Sequence, residues 1–104
     1  MVVRVWRGRS NAAHADAYEK FLRETAYPDY GDVRGNRGWM LLRRSLGESV
    51  EFMFVSCWES MDAVARYTEG DPNRPKYYPE DRAALLDLPD RVDHFEIVDL
   101  QSRW

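Results

Sequence analysis

The chain has one cysteine, two histidines and no apolar run longer than four residues in its 104, and each scarcity removes a class of protein. The lone Cys57 can close no internal disulfide and has no CxxC partner for a metal, so it reads as a buried strand thiol. Runs this short fall far below the ~20 residues that span a bilayer, and the opening MVVRVWRGRS has no apolar signal core. A soluble, cytoplasmic protein with no membrane partner is expected. The formal net charge is −3, with both signs spread along the chain. It forms no basic stripe, so nucleic acid is not an expected partner. GxSxG, HExxH, Walker and dinucleotide motifs are absent, and the acidic Pro79–Asp81 stretch has no His or Cys companion, so no metal site is expected.

Aromatic residues are abundant instead: four Trp, six Tyr and four Phe. A chain of this length buries only about two-thirds of its unfolded surface, so its core is modest. Fourteen aromatics exceed what that core needs, which points to a pocket or a subunit interface.

Periodicity and punctuation divide the sequence into six elements. Val2 to Arg9 is β-branched and aromatic strand material. From Ser10 or Asn11 as N-cap, a helix with Ala17, Phe21 and Thr25 on one face, beside Ala13, Tyr18 and Leu22, is expected to stop near Tyr27, before Pro28. Gly31, Gly35 and Gly38 mark a loop, after which WMLLRRSL and VEFMFVSCWE form a hairpin turned by LGES. In the latter strand Phe52, Phe54, Ser56 and Trp58 share one face and Glu51, Met53, Val55 and Cys57 the other. Both faces are largely apolar, and both must be covered.

Ser60 caps a second helix carrying Met61, Val64, Ala65 and Thr68 at helical spacing, with Gly70 as its expected stop. A proline-broken loop with Tyr77 and Tyr78 follows, then one or two helical turns between Glu80 and Leu88. Arg91 to Leu100 reads as the last strand. The order βαββαβ predicts an α+β, ferredoxin-like domain spanning residues 1–104: a four-stranded antiparallel sheet with both helices on one face. The uncovered apolar face predicts a homodimer through the sheet faces.

Five segments together carry a family resemblance: RVWRGR in the first strand, GNRGWMLLRR, VSCWESMDAV at the strand-to-helix joint, YYPED, and RVDHFEIV in the last strand. In combination they resemble the antibiotic biosynthesis monooxygenase domain family, within the dimeric α/β-barrel group, over nearly the whole chain. The resemblance implies a pocket between sheet and helices. In the family's cofactor-free members an electron-rich phenolic substrate is deprotonated there and its carbanion reacts directly with O₂, with no cofactor. Such chemistry asks for an aromatic, water-poor cavity and a few polar groups that stabilise an anion.

Under that resemblance Trp58 matches the joint tryptophan and is a candidate pocket wall, the alternative being a core wedge beneath the second helix. Trp6 and Trp39 are further wall candidates. Tyr77 and Tyr78 lie in a loop able to close over the pocket, where a phenol can hydrogen-bond a substrate oxygen. His94, an imidazole within an apolar strand, is the general acid/base candidate, against a structural role. Of the strand arginines Arg4, Arg43 and Arg44, one facing inward would hold a substrate anion. The expected set is thus His94, Trp58 and Tyr78 for catalysis, with Trp6, Trp39, Arg44 and Tyr77 for substrate. His14 reads as surface. Haem degradation ranks below this, since it asks for an axial ligand on the second helical segment and an asparagine on the first strand. The chain offers Trp6 and Arg7 at the latter and no His between residues 60 and 90, although a tyrosine there could in principle ligate iron. A non-catalytic dimeric binding or structural protein of the same fold is the alternative function.

Overall fold

In the computed structural model, which describes residues 1–103, a four-stranded sheet has the order β2-β3-β1-β4. The strands are β1 (Val2–Asn11), β2 (Asn36–Leu46), β3 (Ser49–Trp58) and β4 (Asp93–Glu96), and the helices are α1 (Ala15–Gly31), α2 (Met61–Thr68) and α3 (Pro79–Ala84). All three strand pairings are antiparallel. This is the α+β, ferredoxin-like arrangement, the two central strands β3 and β1 being separated in sequence by α1 and β2. Among the described residues no helix is long and apolar enough to cross a membrane.

Strand parity decides what each face carries. In β3, Val50, Phe52, Phe54, Ser56 and Trp58 are buried, while Glu51, Met53, Val55 and Cys57 between them are half-buried. The buried set packs under the helices with Trp6, Tyr18, Leu22, Tyr30 and Val64. Met53, Val55 and Cys57 lie on the opposite face, in register with Leu42, Met40 and Gly38 of β2 and with Arg7, Val5 and Val3 of β1. That outer face leaves Met40, Leu42 and Phe95 exposed. Cys57 belongs to it and is a free, half-buried thiol rather than a fully buried one.

Several boundaries differ from the sequence reading. Asn11 caps a short 3-10 turn, Ala12–His14, accepting the His14 N–H at 2.9 Å, so α1 starts at Ala15. The helix then runs through Pro28 to Gly31. Proline removes one backbone donor. Tyr30 nevertheless holds the last turn in place by packing against Phe54, Trp58 and Tyr67, and the Asp32 N–H reaches the Pro28 carbonyl at 3.2 Å. The buried stripe of α1 is Ala15, Tyr18, Leu22 and Tyr30, so the expected face is rotated and Ala17 is in solvent.

Helix α2 is capped by Ser60 as expected, its hydroxyl accepting the Ala63 N–H at 3.2 Å. Its end falls one residue earlier than Gly70: Glu69 takes the left-handed conformation, φ 55°, and donates its N–H to the Ala65 carbonyl. Strand β4 is shorter than the expected Arg91 to Leu100. Its pairing ends at Val2↔Glu96 because β1 has no residue left to pair, and the Ile97 N–H to Met1 carbonyl bond is the last contact.

Candidate functional site

A cavity of about 40 Å³ lies between the sheet and α1, roofed by the segment that joins α2 to α3. The sheet supplies Arg4 and Trp6 from β1 and Phe54 from β3; these share the helix-facing side because β1 and β3 pair Arg4↔Ser56 and Trp6↔Phe54. From α1 come Leu22, Ala26, Asp29 and Tyr30, and α2 adds Tyr67. The roof is Pro75, Lys76, Tyr77 and Tyr78, with Asp81 at the first turn of α3. Gly8 shapes the floor: a Cβ there would sit 2.6 Å from the Trp6 indole, so only glycine lets that ring lie along the strand.

Arg4 is the charged group of the floor, 3% exposed. Its Nη1 donates to the Pro72 carbonyl at 2.5 Å and its Nη2 to the Arg74 carbonyl at 3.0 Å, tying the roof to the sheet. Its guanidinium carbon also lies 5.7 Å from the Tyr67 ring centroid, a cation–π contact. Burial lowers its pKa, opposed by Tyr30 and Tyr67.

The carboxylates at the opposite side are engaged. Asp29 accepts the Tyr78 hydroxyl and lies 3.5 Å from the Lys76 ammonium. Asp81 accepts the Tyr18 hydroxyl at 2.7 Å and the Tyr78 N–H at 2.7 Å. Burial pushes the Asp81 pKa up, against these two bonds. The phenols are held protonated. Burial raises Tyr67, with Tyr30 adding to it, and raises Tyr30 and Tyr77; Tyr78 is pushed up to about 12 by burial and then by Asp29. The cavity is therefore aromatic and furnished with phenol donors rather than phenolates.

Of the residues singled out in the sequence, Trp6, Tyr77 and Tyr78 line this cavity. Trp6 Nε1 points to the Tyr77 hydroxyl at 3.4 Å, and that hydroxyl donates to the Pro89 carbonyl at 2.6 Å. Trp58 does not line it. Its ring is fully buried against Tyr30 and Tyr67, and Nε1 donates to the Ser56 hydroxyl at 2.9 Å, which is the geometry of a core wedge. Trp39 lies beyond it, against Tyr27 and Tyr30.

Arg44 is on the other side of the sheet, exposed, with Nε 2.8 Å from Glu51. Pairing with Glu51 gives Arg44 the outer-face parity, and the inward-facing arginine of β1 is Arg4. His94 pairs with Arg4 across β1 and β4 and presents Nε2 to its Nη1 at 3.2 Å, behind the cavity rather than in it. That Nε2 accepts, which leaves the proton on Nδ1, a buried atom with no partner among the described residues. Burial first, and the Arg4 charge second, lower its pKa. Asp29, Tyr30, Tyr67 and Lys76 were not singled out in the sequence. One signal was available: if Trp6 faces the pocket, Arg4 two residues earlier shares its side of the strand.

No family model matches the sequence, and no curated protein matches it. Solved structures match its fold. Rv0793 of Mycobacterium tuberculosis is similar over 97% of this chain and 98% of its own, at 19% identity and TM-score 0.67. The haem-degrading protein Rv3592 of the same organism is similar over 97% and 98%, at 24% identity and TM-score 0.66. A candidate antibiotic biosynthesis monooxygenase from Bacillus cereus covers 98% of this chain with 97% of its own, at 12% identity and TM-score 0.60. The chain thus shares the fold of these three structures.

For haem iron the lining offers phenols alone as axial donors, and burial holds those of Tyr67 and Tyr77 protonated. The lining holds no histidine, and His94 turns its accepting nitrogen to a guanidinium.

Proposed function

We propose that the protein is a cofactor-independent monooxygenase acting on a small aromatic molecule held between sheet and helices. The observation that supports this is the aromatic cavity bounded by the Arg4 guanidinium on one side and the Tyr78–Asp29 pair on the other. In this reading residues 72–78 move aside to admit a substrate ring, which Trp6, Tyr30, Tyr67 and Phe54 then sandwich. Tyr78 and Tyr77 offer phenol hydroxyls to its oxygens, and Asp29 takes up a proton through Tyr78. For an anthrone-like substrate, the ring CH₂ loses a proton and its carbanion is oxidised by O₂. One oxygen atom becomes the ring ketone and the other leaves as water with the two hydrogens. His94 is a positioning residue, set behind Arg4. Trp58 serves the site by holding Tyr30 and Tyr67.

We further assign the outer sheet face, with Met40, Leu42, Val55 and Phe95, to a homodimer interface in a cytoplasmic protein. Light scattering of the wild type and of Phe95→Glu tests it: a dimer that the charge dissociates is expected, and a wild-type monomer at micromolar concentration would refute it.

Oxygen uptake with hydroquinone and anthrone substrates tests the activity. Wild type should consume O₂, and Tyr78→Phe should slow uptake at least about tenfold. The same cavity also suits a binding protein without chemistry, a reading favoured by the absence of His94, the general acid/base candidate, from its lining. Saturable aromatic binding with no uptake would decide for that alternative.

A further inference from the structure

Arg4 poses a problem that the rest of the fold does not solve. Arginine is rarely buried without an anionic partner, because removing its charge from water is costly. Arg4 is 3% exposed, and among the described residues no carboxylate forms a salt bridge with it. Its contacts are two backbone carbonyls, a neutral imidazole nitrogen and the face of Tyr67. Every other charged group lining the cavity is matched: Lys76 with Asp29, and Asp81 with the Tyr18 hydroxyl and the Tyr78 N–H.

The geometry is also incomplete on the side of the donors. A guanidinium carries five N–H groups. Nη1 uses two, on Pro72 and His94, and Nη2 uses one, on Arg74. The Nε–H and one N–H of Nη2 have no protein acceptor among the described residues. Guanidinium N–H groups left free in this way favour an anionic oxygen, as in a carboxylate or a phenolate.

We infer that the ligand of the cavity is an aromatic oxyanion, an aryl carboxylate or a phenolate, whose oxygens sit on Arg4 while its ring lies against Trp6 and Tyr67. This rests on the pocket proposed above and adds the charge of its occupant. Because Arg4 also holds the Pro72 and Arg74 carbonyls, the ligand binds at the point where the roof is fastened to the sheet. The cavity, at about 40 Å³, is smaller than an aromatic ring, so binding in this way requires residues 72–78 to move outward.

Calorimetric titration near neutral pH with 4-hydroxybenzoate and its neutral analogue 4-hydroxybenzamide tests the carboxylate form. The phenolate form is tested with 4-nitrophenol, whose colour reports its ionisation. In one arm or the other the anion should be favoured: the acid binding at least about tenfold more tightly than the amide, or 4-nitrophenol turning to its phenolate on binding. Arg4→Gln should abolish that preference while leaving neutral aromatics bound. The acid and amide pair on wild-type protein carries the test even if Arg4→Gln fails to fold. Equal binding of acid and amide with no phenolate formed would overturn the inference and leave the pocket standing. A preference that survives in Arg4→Gln would overturn it too. Absence of all binding would remove the pocket reading, and the inference with it.

Discussion

Two tryptophans face the helices from neighbouring strands, and they do opposite things. Trp58 ends β3 with no exposed surface, its indole N–H fixed on Ser56 2.9 Å away. Trp6, in β1, borders empty space, and its N–H reaches the Tyr77 hydroxyl in the roof at 3.4 Å. Tyr30 and Tyr67 enclose the Trp58 ring, whereas the Trp6 ring forms part of the cavity wall itself. Residue type and strand side are the same, so the difference comes from what covers each position. Helix α2 seals Trp58, whereas Trp6 lies under a cavity roofed by a proline-broken segment.

The largest separation should come from truncating both. Trp58→Ala removes a fully packed side chain and should cost about 3–5 kcal/mol in urea unfolding. Trp6→Ala should cost less, about 2–3 kcal/mol, because one side of the ring already lacks partners. Equal losses would erase the distinction. A pH series sharpens the Arg4 side of the site. The folded protein holds the His94 pKa below the ordinary 6.5, through burial and then the Arg4 charge. Protons therefore go preferentially to the unfolded chain as pH falls. The contribution of His94 is whole above 6.5 and is lost as pH drops from 6.5 through the lowered folded value. The urea midpoint should fall across that window, and His94→Gln should flatten the fall; an unchanged slope would contradict the lowered His94 pKa of the folded protein. The smallest effect is expected at Arg43, a guanidinium on the open edge paired with Asp16 at 2.9 Å and Glu19 at 3.1 Å. Arg43→Ala should leave both the melting temperature and aromatic binding unchanged, as surface pairs generally do.

Much of this arrangement was legible in the sequence. Alternation in VEFMFVSCW gives the two-faced strand, Ser60 gives the start of α2, and the element order gives the sheet. The helix end at Gly31 was hidden because Pro28 is read locally, whereas the packing of Tyr30 on Phe54 is tertiary. The same limit separates the two arginines. Arg4 and Arg44 both sit among apolar strand residues, and their faces follow only once the register Arg4↔Ser56 and Arg44↔Glu51 is known. Trp58 misled for a related reason: its place at the joint is visible in the chain, but the tyrosines that enclose it come from α1 and α2. Tyr77 and Tyr78 were recognisable as roof residues because prolines flank them.

The contrast between the two indoles can be read directly in one experiment. In ¹⁵N-labelled protein the tryptophan indole N–H signals are followed by NMR during titration with 4-hydroxybenzoate. The Trp6 signal should shift in a saturable way while the Trp58 signal, fixed on Ser56, stays in place. A saturable shift of Trp58 with Trp6 unmoved would contradict the placement of the site beneath residues 72–78.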